Sequence, residues 1–199
     1  MELTFNKEAE YTLEDNNVLL RPLQLTDIDN LLTISLNEPE TWDYSSTTAA
    51  GEDGLKTYIN DALLARQTGK EYPFIVYDKQ AGAYAGSTRF YDIQPANKML
   101  QLGYTWYGKN FRGTGMNKHC KFLLLQFAFE TLGMERVEFR ADARNERSIA
   151  AMKSIGCKVE GIIRSWMPLR DGGRKDSIIL SILKEEWFGG VKEKLGSKL

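Results

Sequence analysis

A glycine-bearing turn between a strand and a long helix restricts this chain more than any other feature. Met99–Tyr107 reads as a strand, and Gly115–Leu132 carries Met116, Cys120, Leu123, Leu124, Phe127 and Ala128 at helical spacing before Gly133 ends it. Arg112-Gly-Thr-Gly-Met-Asn117 connects the two. The first four amides of a helix have no partner within it, and Gly113 and Gly115 remove side chains that would screen them. Several N–H groups can therefore converge on one anion, and a diphosphate is the natural guest. By itself the turn reads equally well as a tight connection with no ligand. The chain has neither the Gly-Lys-Ser/Thr of a nucleoside triphosphate loop nor the Gly-x-Gly-x-x-Gly of a dinucleotide site.

Around this unit the pattern continues in order. Val18–Pro22 reads as a strand; a helix capped by Thr26-Asp27 carries Ile28, Leu31, Leu32 and Leu36; a second helix runs from about Glu52 to Gln67. Tyr72–Asp78 and Ala83–Ile93 precede the strand at Met99–Tyr107 as an antiparallel meander. After the long helix come an alternating strand at Arg136–Asp142, a short helix at Asn145–Ile155, and strands at Val159–Leu169 and Asp176–Leu183 joined by a turn over Arg170–Arg174. Strand, two helices, three strands, helix, strand, helix and two strands imply an α+β fold with a mixed sheet of about seven strands flanked by helices.

A length of 199 residues fits one domain, with residues 1–15 as an extension, 16–187 as the folded unit and 188–199 as a tail; Lys184–Leu199 reads as a short helix over the sheet edge with Trp187 and Phe188 inward, unless these aromatics meet a second copy in a homodimer. The 26 basic and 27 acidic residues give a formal charge of −1, which argues against a nucleic-acid partner. No apolar run approaches the ~20 residues of a membrane span and the first residues mix charges, so the expectation is a cytoplasmic protein with no membrane contact. Cys120 and Cys157 read as buried thiols rather than a disulfide, and no metal site is expected.

The order of elements and the Arg112–Asn117 turn resemble the GNAT superfamily of N-acetyltransferases, whose coenzyme signature is Arg/Gln-x-x-Gly-x-Gly/Ala. Arg112 and Gly115 match; Asn117 stands where Gly or Ala is usual. A second stretch, Asn145-Glu-Arg-Ser148 followed by Gly156, resembles the family's Asn-x-x-Ser segment, and Leu19-Leu-Arg-Pro22 adds a likeness to the RimJ/RimL branch. The resemblance implies a sheet splayed between its fourth and fifth strands, with acetyl-CoA as cosubstrate and a primary amine as acceptor. It implies coenzyme contacts from the main chain of Thr105, Trp106 and Tyr107, from Arg112, Gly113, Thr114, Gly115, Met116 and Asn117, and from Asn145 and Ser148.

Amide formation from a thioester needs a held coenzyme, a neutral amine and stabilisation of an oxyanion. The resemblance implies that Ser148 meets the coenzyme or its departing thiolate, which makes it the candidate acid, and the tyrosine acid of many relatives is missing because no tyrosine follows Tyr107; Glu138 is the candidate base. Arg136, Glu138, Arg140 and Asp142 share one face of a strand, where a salt-bridged row is the commoner arrangement. Gln101 cannot act as a base, and His119 reads as a surface or packing residue. Asn145 serves equally well as a helix cap. Trp42, Tyr44, Ser45, Arg89, Tyr91, Arg164 and Trp166 are candidates for the acceptor wall. A catalytically weak acyl-CoA-binding or sensing protein on the same fold is the alternative to an enzyme.

Overall fold

In the computed structural model, which describes residues 5–45, 47–169 and 172–199, the consecutive residues Phe74, Ile75 and Val76 are all fully buried. Alternate strand side chains leave on opposite faces, so both faces of this sheet must be covered. Eight strands build it: β1 (Leu13–Glu14), β2 (Val18–Pro22), β3 (Glu71–Asp78), β4 (Ala83–Gln94), β5 (Met99–Tyr107), β6 (Arg136–Asp142), β7 (Lys158–Pro168) and β8 (Arg174–Leu183). The spatial order is β1-β2-β3-β4-β5-β6-β8-β7. The two-residue β1 adds one strand to the seven expected, because Leu13 and Glu14 pair with Leu20 and Leu19 without any strand pattern of their own.

Helices α1 (Asp27–Asn37) and α2 (Gly51–Gln67) cover one face, burying Leu31, Leu55, Ile59 and Ala62 around Ile75 and Trp106. On the other lie α3 (Met116–Gln126, prolonged by a π-turn at Phe127–Thr131), α4 (Glu146–Ser154), α5 (Lys184–Glu186) and α6 (Lys192–Gly196), packed on Phe74, Val76, Phe90 and Phe139. Thr26 does not cap α1 with its side chain. Asp27 turns back instead, accepting from Gln24 N–H at 2.8 Å and pairing with Arg21 at 2.6 Å. Leu36 is 54 % exposed, so the buried stripe of α1 is narrower than the sequence spacing predicts. Trp187 is buried, with its indole donating to Glu130 at 2.8 Å, and Leu195 reaches the main core, but Phe188 is exposed rather than inward. The segment lies on α3, through Phe122 and Phe129, and also meets the start of the edge strand β7, where Glu186 pairs with Lys158 at 2.6 Å. Of the β7–β8 turn, Arg170 and Asp171 lie outside the described residues, and Gly172 and Gly173 take left-handed angles.

One junction breaks the sheet. Among the described residues β5 and β6 are its only parallel neighbours, and they pair at Met99↔Arg136, Leu100↔Val137 and Gln101↔Glu138 alone. Beyond Gln101 the edge of β5 that faces β6 has no strand beside it, while β6 continues to Asp142 on β8. The strands therefore splay at the end that leads into the Arg112–Asn117 turn.

Candidate active site

A bulge sets the path of β5 through the splay. Ser87 faces Trp106 and Arg89 faces Gly103, so Thr88 on β4 stands against the two residues Tyr104 and Thr105. Tyr104 takes φ +48°, an angle a large non-glycine side chain adopts only when its surroundings hold it there. One residue that holds it is Gly86: a Cβ at that position would lie 2.0 Å from the Trp106 carbonyl oxygen. Only glycine lets β4 approach β5 this closely.

The side chains of the bulge divide between the two faces. Toward α3, Lys121 is buried and donates to Thr105 Oγ1 at 2.7 Å and Thr88 Oγ1 at 3.2 Å, and those hydroxyls are 2.7 Å apart. Burial brings the Lys121 ammonium down from 10.5 to about 8. Toward α2, the buried Arg89 guanidinium lies 4.5 Å from the ring centres of both Tyr58 and Tyr104, and pairs with Glu71 at 2.6 Å. The expected coenzyme-side aromatics also divide: Trp106 packs edge-on to Trp42, whereas Tyr107 points toward α3 and donates to Asn117 Oδ1 at 3.3 Å.

At the turn, Gly113 and Gly115 have φ +78° and +91°, and a Cβ on either would meet nothing within 4 Å. These glycines answer a backbone need and leave the mouth of α3 open. Arg112 braces the turn through its Nε to Tyr107 O at 2.8 Å and its Nη2 to Thr41 Oγ1 at 2.7 Å. Burial, followed by the positive charge of Arg147 on α4, lowers its pKa. The charge of Arg147 is thus felt at Arg112, a repulsion that an anion nearby would relieve. The turn, the open edge of β5 and the start of α4 fit a coenzyme with a diphosphate and an extended arm. Asn145 caps α4, its Oδ1 accepting from Ser148 N–H at 3.0 Å, and Ser148 is half-buried in the first turn. Asn145 and Ser148 thus stand on the same helix as Arg147, whose charge reaches the mouth.

On β6 the alternating row is salt-bridged. Glu138 is buried, with Oε1 accepting from Arg140 at 2.7 Å and Oε2 from Arg136 at 2.9 Å. Both oxygens of the expected base are therefore engaged by cations. Arg136 also forks onto Glu160, which falls to about 2, first through that hydrogen bond. Gln101 donates to Asp92 at 2.9 Å, and Arg140 stacks on Trp166 at 4.9 Å. His119 pairs with Asp15 at 2.6 Å, tying α3 to the chain before β2. Both cysteines are free and buried, each thiol pushed up to about 12 by burial. Among the described residues no His/Cys/Asp/Glu cluster suits a metal, and no helix is long and apolar enough to cross a membrane.

Sequence reasoning missed Lys121, Tyr58, Tyr104 and Arg147. Lys121 had one available signal, a lysine one residue after Cys120 on the apolar stripe of α3; the others depend on the bulge and on the approach of α2 and α4.

Comparison with known proteins agrees with this geometry. The model of the acetyltransferase (GNAT) domain matches residues 17–158. The "Uncharacterized N-acetyltransferase p20" of Bacillus licheniformis is 27 % identical over 183 residues, covering 89 % of this chain and 99 % of that protein. A GCN5-related N-acetyltransferase from Brucella melitensis superposes with a TM-score of 0.87 at 26 % identity, over 96 % of this chain and 86 % of the other. Mycobacterium smegmatis RimJ, solved with CoA-disulfide, shares the fold with a TM-score of 0.77 at 18 % identity, over 94 % and 93 % of the two chains. With its splayed sheet, its braced glycine turn and this match over most of its length, the chain belongs to the GNAT acetyltransferase family.

Proposed function

We propose that the chain transfers the acetyl group of acetyl-CoA to a primary amine, directly within a ternary complex, and that an N-terminal α-amine suits it best. The observation that carries this reading is the edge of β5 left without a partner strand from Leu102 to Tyr107, running into the open turn at Gly113–Gly115. The main chain of Thr105, Trp106 and Tyr107 would hold the pantetheine arm, and the amides of Arg112–Asn117 the diphosphate, with Asn145 and Ser148 on the α4 side. Acetyl-CoA supplies an acyl carbon already activated as a thioester. In the net reaction a C–N bond forms, the C–S bond breaks, and the amine gives up one proton as the thiol is released.

The chain's own groups limit which amine works. Glu138 holds two guanidiniums, Gln101 is an amide, and a site without a free strong base favours an acceptor that is already neutral. At pH 7 an α-amine with pKa about 7.7–8.0 is neutral to roughly 10–15 %, a lysine side chain to less than ~0.1 %. This agrees with the likeness to the RimJ/RimL branch. Ser148 is the candidate donor of a proton to the departing thiolate.

Gly115→Asp tests the reading, because it puts a carboxylate where the diphosphate would bind. The wild type is expected to gain thermal stability with millimolar acetyl-CoA, and the variant to lose at least ~100-fold in coenzyme affinity through charge repulsion and lost amide contacts. An equal thermal shift in the two proteins, each shown folded by circular dichroism, would refute a coenzyme site at this turn.

A further inference from the structure

Among the described residues nothing negative balances the buried charge of Lys121. The residue is only 6 % exposed, and its ammonium donates to Thr105 Oγ1 at 2.7 Å and to Thr88 Oγ1 at 3.2 Å, both neutral hydroxyls. The ionisable groups close enough to act on it are the thiols of Cys120, on α3 itself, and Cys157, between α4 and β7. Burial pushes both up to about 12, so in the folded protein neither is an anion at neutral pH. Arg89, the other cation buried at this bulge, has Glu71 at 2.6 Å. A charge taken out of water with no counter-charge is costly, and such charges gather where they serve a site.

Proton counting shows where this charge is directed. An ammonium can only donate, so both hydroxyls accept from it and each has one proton left to give. The hydroxyls lie 2.7 Å apart, and the other acceptor they share is Gly103 O, 3.3 Å from Thr88 Oγ1 and 3.4 Å from Thr105 Oγ1. One proton at most joins the two hydroxyls, so at least one falls on Gly103 O. Gly103 C=O and Tyr104 N–H are the two ends of one peptide group, and the bonds of such a chain strengthen one another. The ammonium therefore sharpens the dipole of the peptide that opens the bulge, at the strained Tyr104 and directly before Thr105. This part of β5 has no partner strand beside β6, and the pantetheine arm was assigned to it above.

We propose that Lys121 is a positioning residue for acyl transfer: through the Thr88 and Thr105 hydroxyls it holds and polarises the bulge, so that negative charge growing on the thioester oxygen is met by a buried positive charge. As the amine nitrogen bonds to the acyl carbon, an electron pair of the C=O bond moves onto oxygen. That pair returns as the C–S bond breaks, and the proton lost by the amine ends on the released thiol. Lys121 keeps its own protons throughout and acts by charge. The compensation exists only in the transition state, so it bears on turnover rather than on acetyl-CoA affinity. This inference rests on the acetyltransferase reading and adds a residue to its machinery.

The test follows thiol release by the full chain from saturating acetyl-CoA, with alaninamide as acceptor and kcat/KM expressed per neutral amine so that titration of the acceptor drops out. The ammonium loses its proton near pH 8. The wild-type value is therefore expected to be highest below that pH and to fall at least ~10-fold between about pH 7 and 9.5. Lys121→Met, which has no charge, is expected to be at least ~10-fold slower at about pH 7 and flat with pH, with its acetyl-CoA Kd within about twofold of the wild type. Lys121→Arg keeps a charge that does not titrate, so it should recover most of the rate and lose the fall. Thr105→Val leaves the lysine in place and cuts its link to the bulge; a similar loss of rate is expected, which answers the question should both lysine variants fail to fold. A flat wild-type profile, or folded variants as fast as the wild type, overturns the proposal, while an acetyl-CoA thermal shift keeps the acetyltransferase reading. If acetyl-CoA binds but alaninamide is not acetylated, bound CoA decides, because its sulfur adjoins the acyl carbon. Its thiolate absorbance should appear at lower pH in the wild type than in Lys121→Met, and coincident titrations overturn the proposal. If acetyl-CoA gives no thermal shift, the acetyltransferase reading fails and this proposal fails with it.

Discussion

Two cations are buried on opposite faces of one bulge, and they are treated in opposite ways. Lys121, on the α3 face, gives its protons to Thr88 and Thr105; Arg89, on the α2 face, pairs with Glu71 between the rings of Tyr58 and Tyr104. The partners are neighbours in sequence, Thr88 beside Arg89 on β4 and Tyr104 beside Thr105 on β5, so the pleat alone sends one pair down and the other up. A buried charge balanced by a carboxylate fixes the packing of its face. A buried charge with hydroxyl partners can hold a strained backbone in place, and stays open to a negative charge that arrives beside it.

Both arrangements depend on the close approach at Gly86, so Gly86→Ala is the largest perturbation. The added methyl would lie 2.0 Å from Trp106 O, against backbone that cannot rotate away. Its relief requires β4 and β5 to separate, at an expected cost of more than ~3 kcal/mol in denaturant unfolding. A loss below ~1 kcal/mol would show that the two strands do not approach as described.

The charge on Lys121 separates the two faces. Its folded pKa, brought down to about 8 from 10.5, means that the unfolded chain holds a proton that the folded chain has released across that window. Stability therefore carries the full burial penalty below pH 8 and rises as pH climbs from about 8 to 10.5, by up to about 3 kcal/mol. The thiols of Cys120 and Cys157, pushed up from 9.0 to about 12 in the fold, ionise near 9 only in the unfolded chain and so pull total stability down above that pH; the comparison with a variant that keeps both thiols cancels this term and isolates the rise due to Lys121. Lys121→Met removes the titrating group, so the stability of the wild type relative to this variant should increase over the same range in urea titrations. A difference that stays flat with pH would mean that Lys121 keeps its ordinary proton affinity.

The sequence foretold the glycine turn and the α4 cap better than the layer between β5 and α2, for a physical reason. Gly113, Gly115 and Asn145 act through local backbone needs, positive φ and a helix cap, which show in neighbouring residues. The order of elements was legible in periodicity and turn residues, whereas the break between β5 and β6 followed only from the family resemblance. Arg89 and Trp42 could be named only as candidates among several for a wall. Their setting arises where α2 brings Tyr58 onto the bulge, a contact across more than thirty residues that no periodicity encodes. The row on β6 was half legible: alternation put Arg136, Glu138 and Arg140 together, but the chain gave no sign that Glu138 would be held at both oxygens.

Asn145→Ala is the smallest change and sharpens the contrast from the coenzyme side. Its Oδ1 accepts from Ser148 N–H at 3.0 Å, so its loss frees one amide at the start of α4 and should cost about 1 kcal/mol, a fall of roughly 2–4 °C in Tm. That cost follows from capping whatever the chain binds. Coenzyme affinity, measured well below the Tm, carries separate information: Arg147, two residues on, is close enough for its charge to be felt at Arg112, so an Asn145 side chain that also touches the coenzyme should weaken binding about tenfold when removed. Unchanged affinity on a folded variant would confine Asn145 to its cap, and the diphosphate would then depend on the amides of the Arg112–Asn117 turn and on the two guanidiniums.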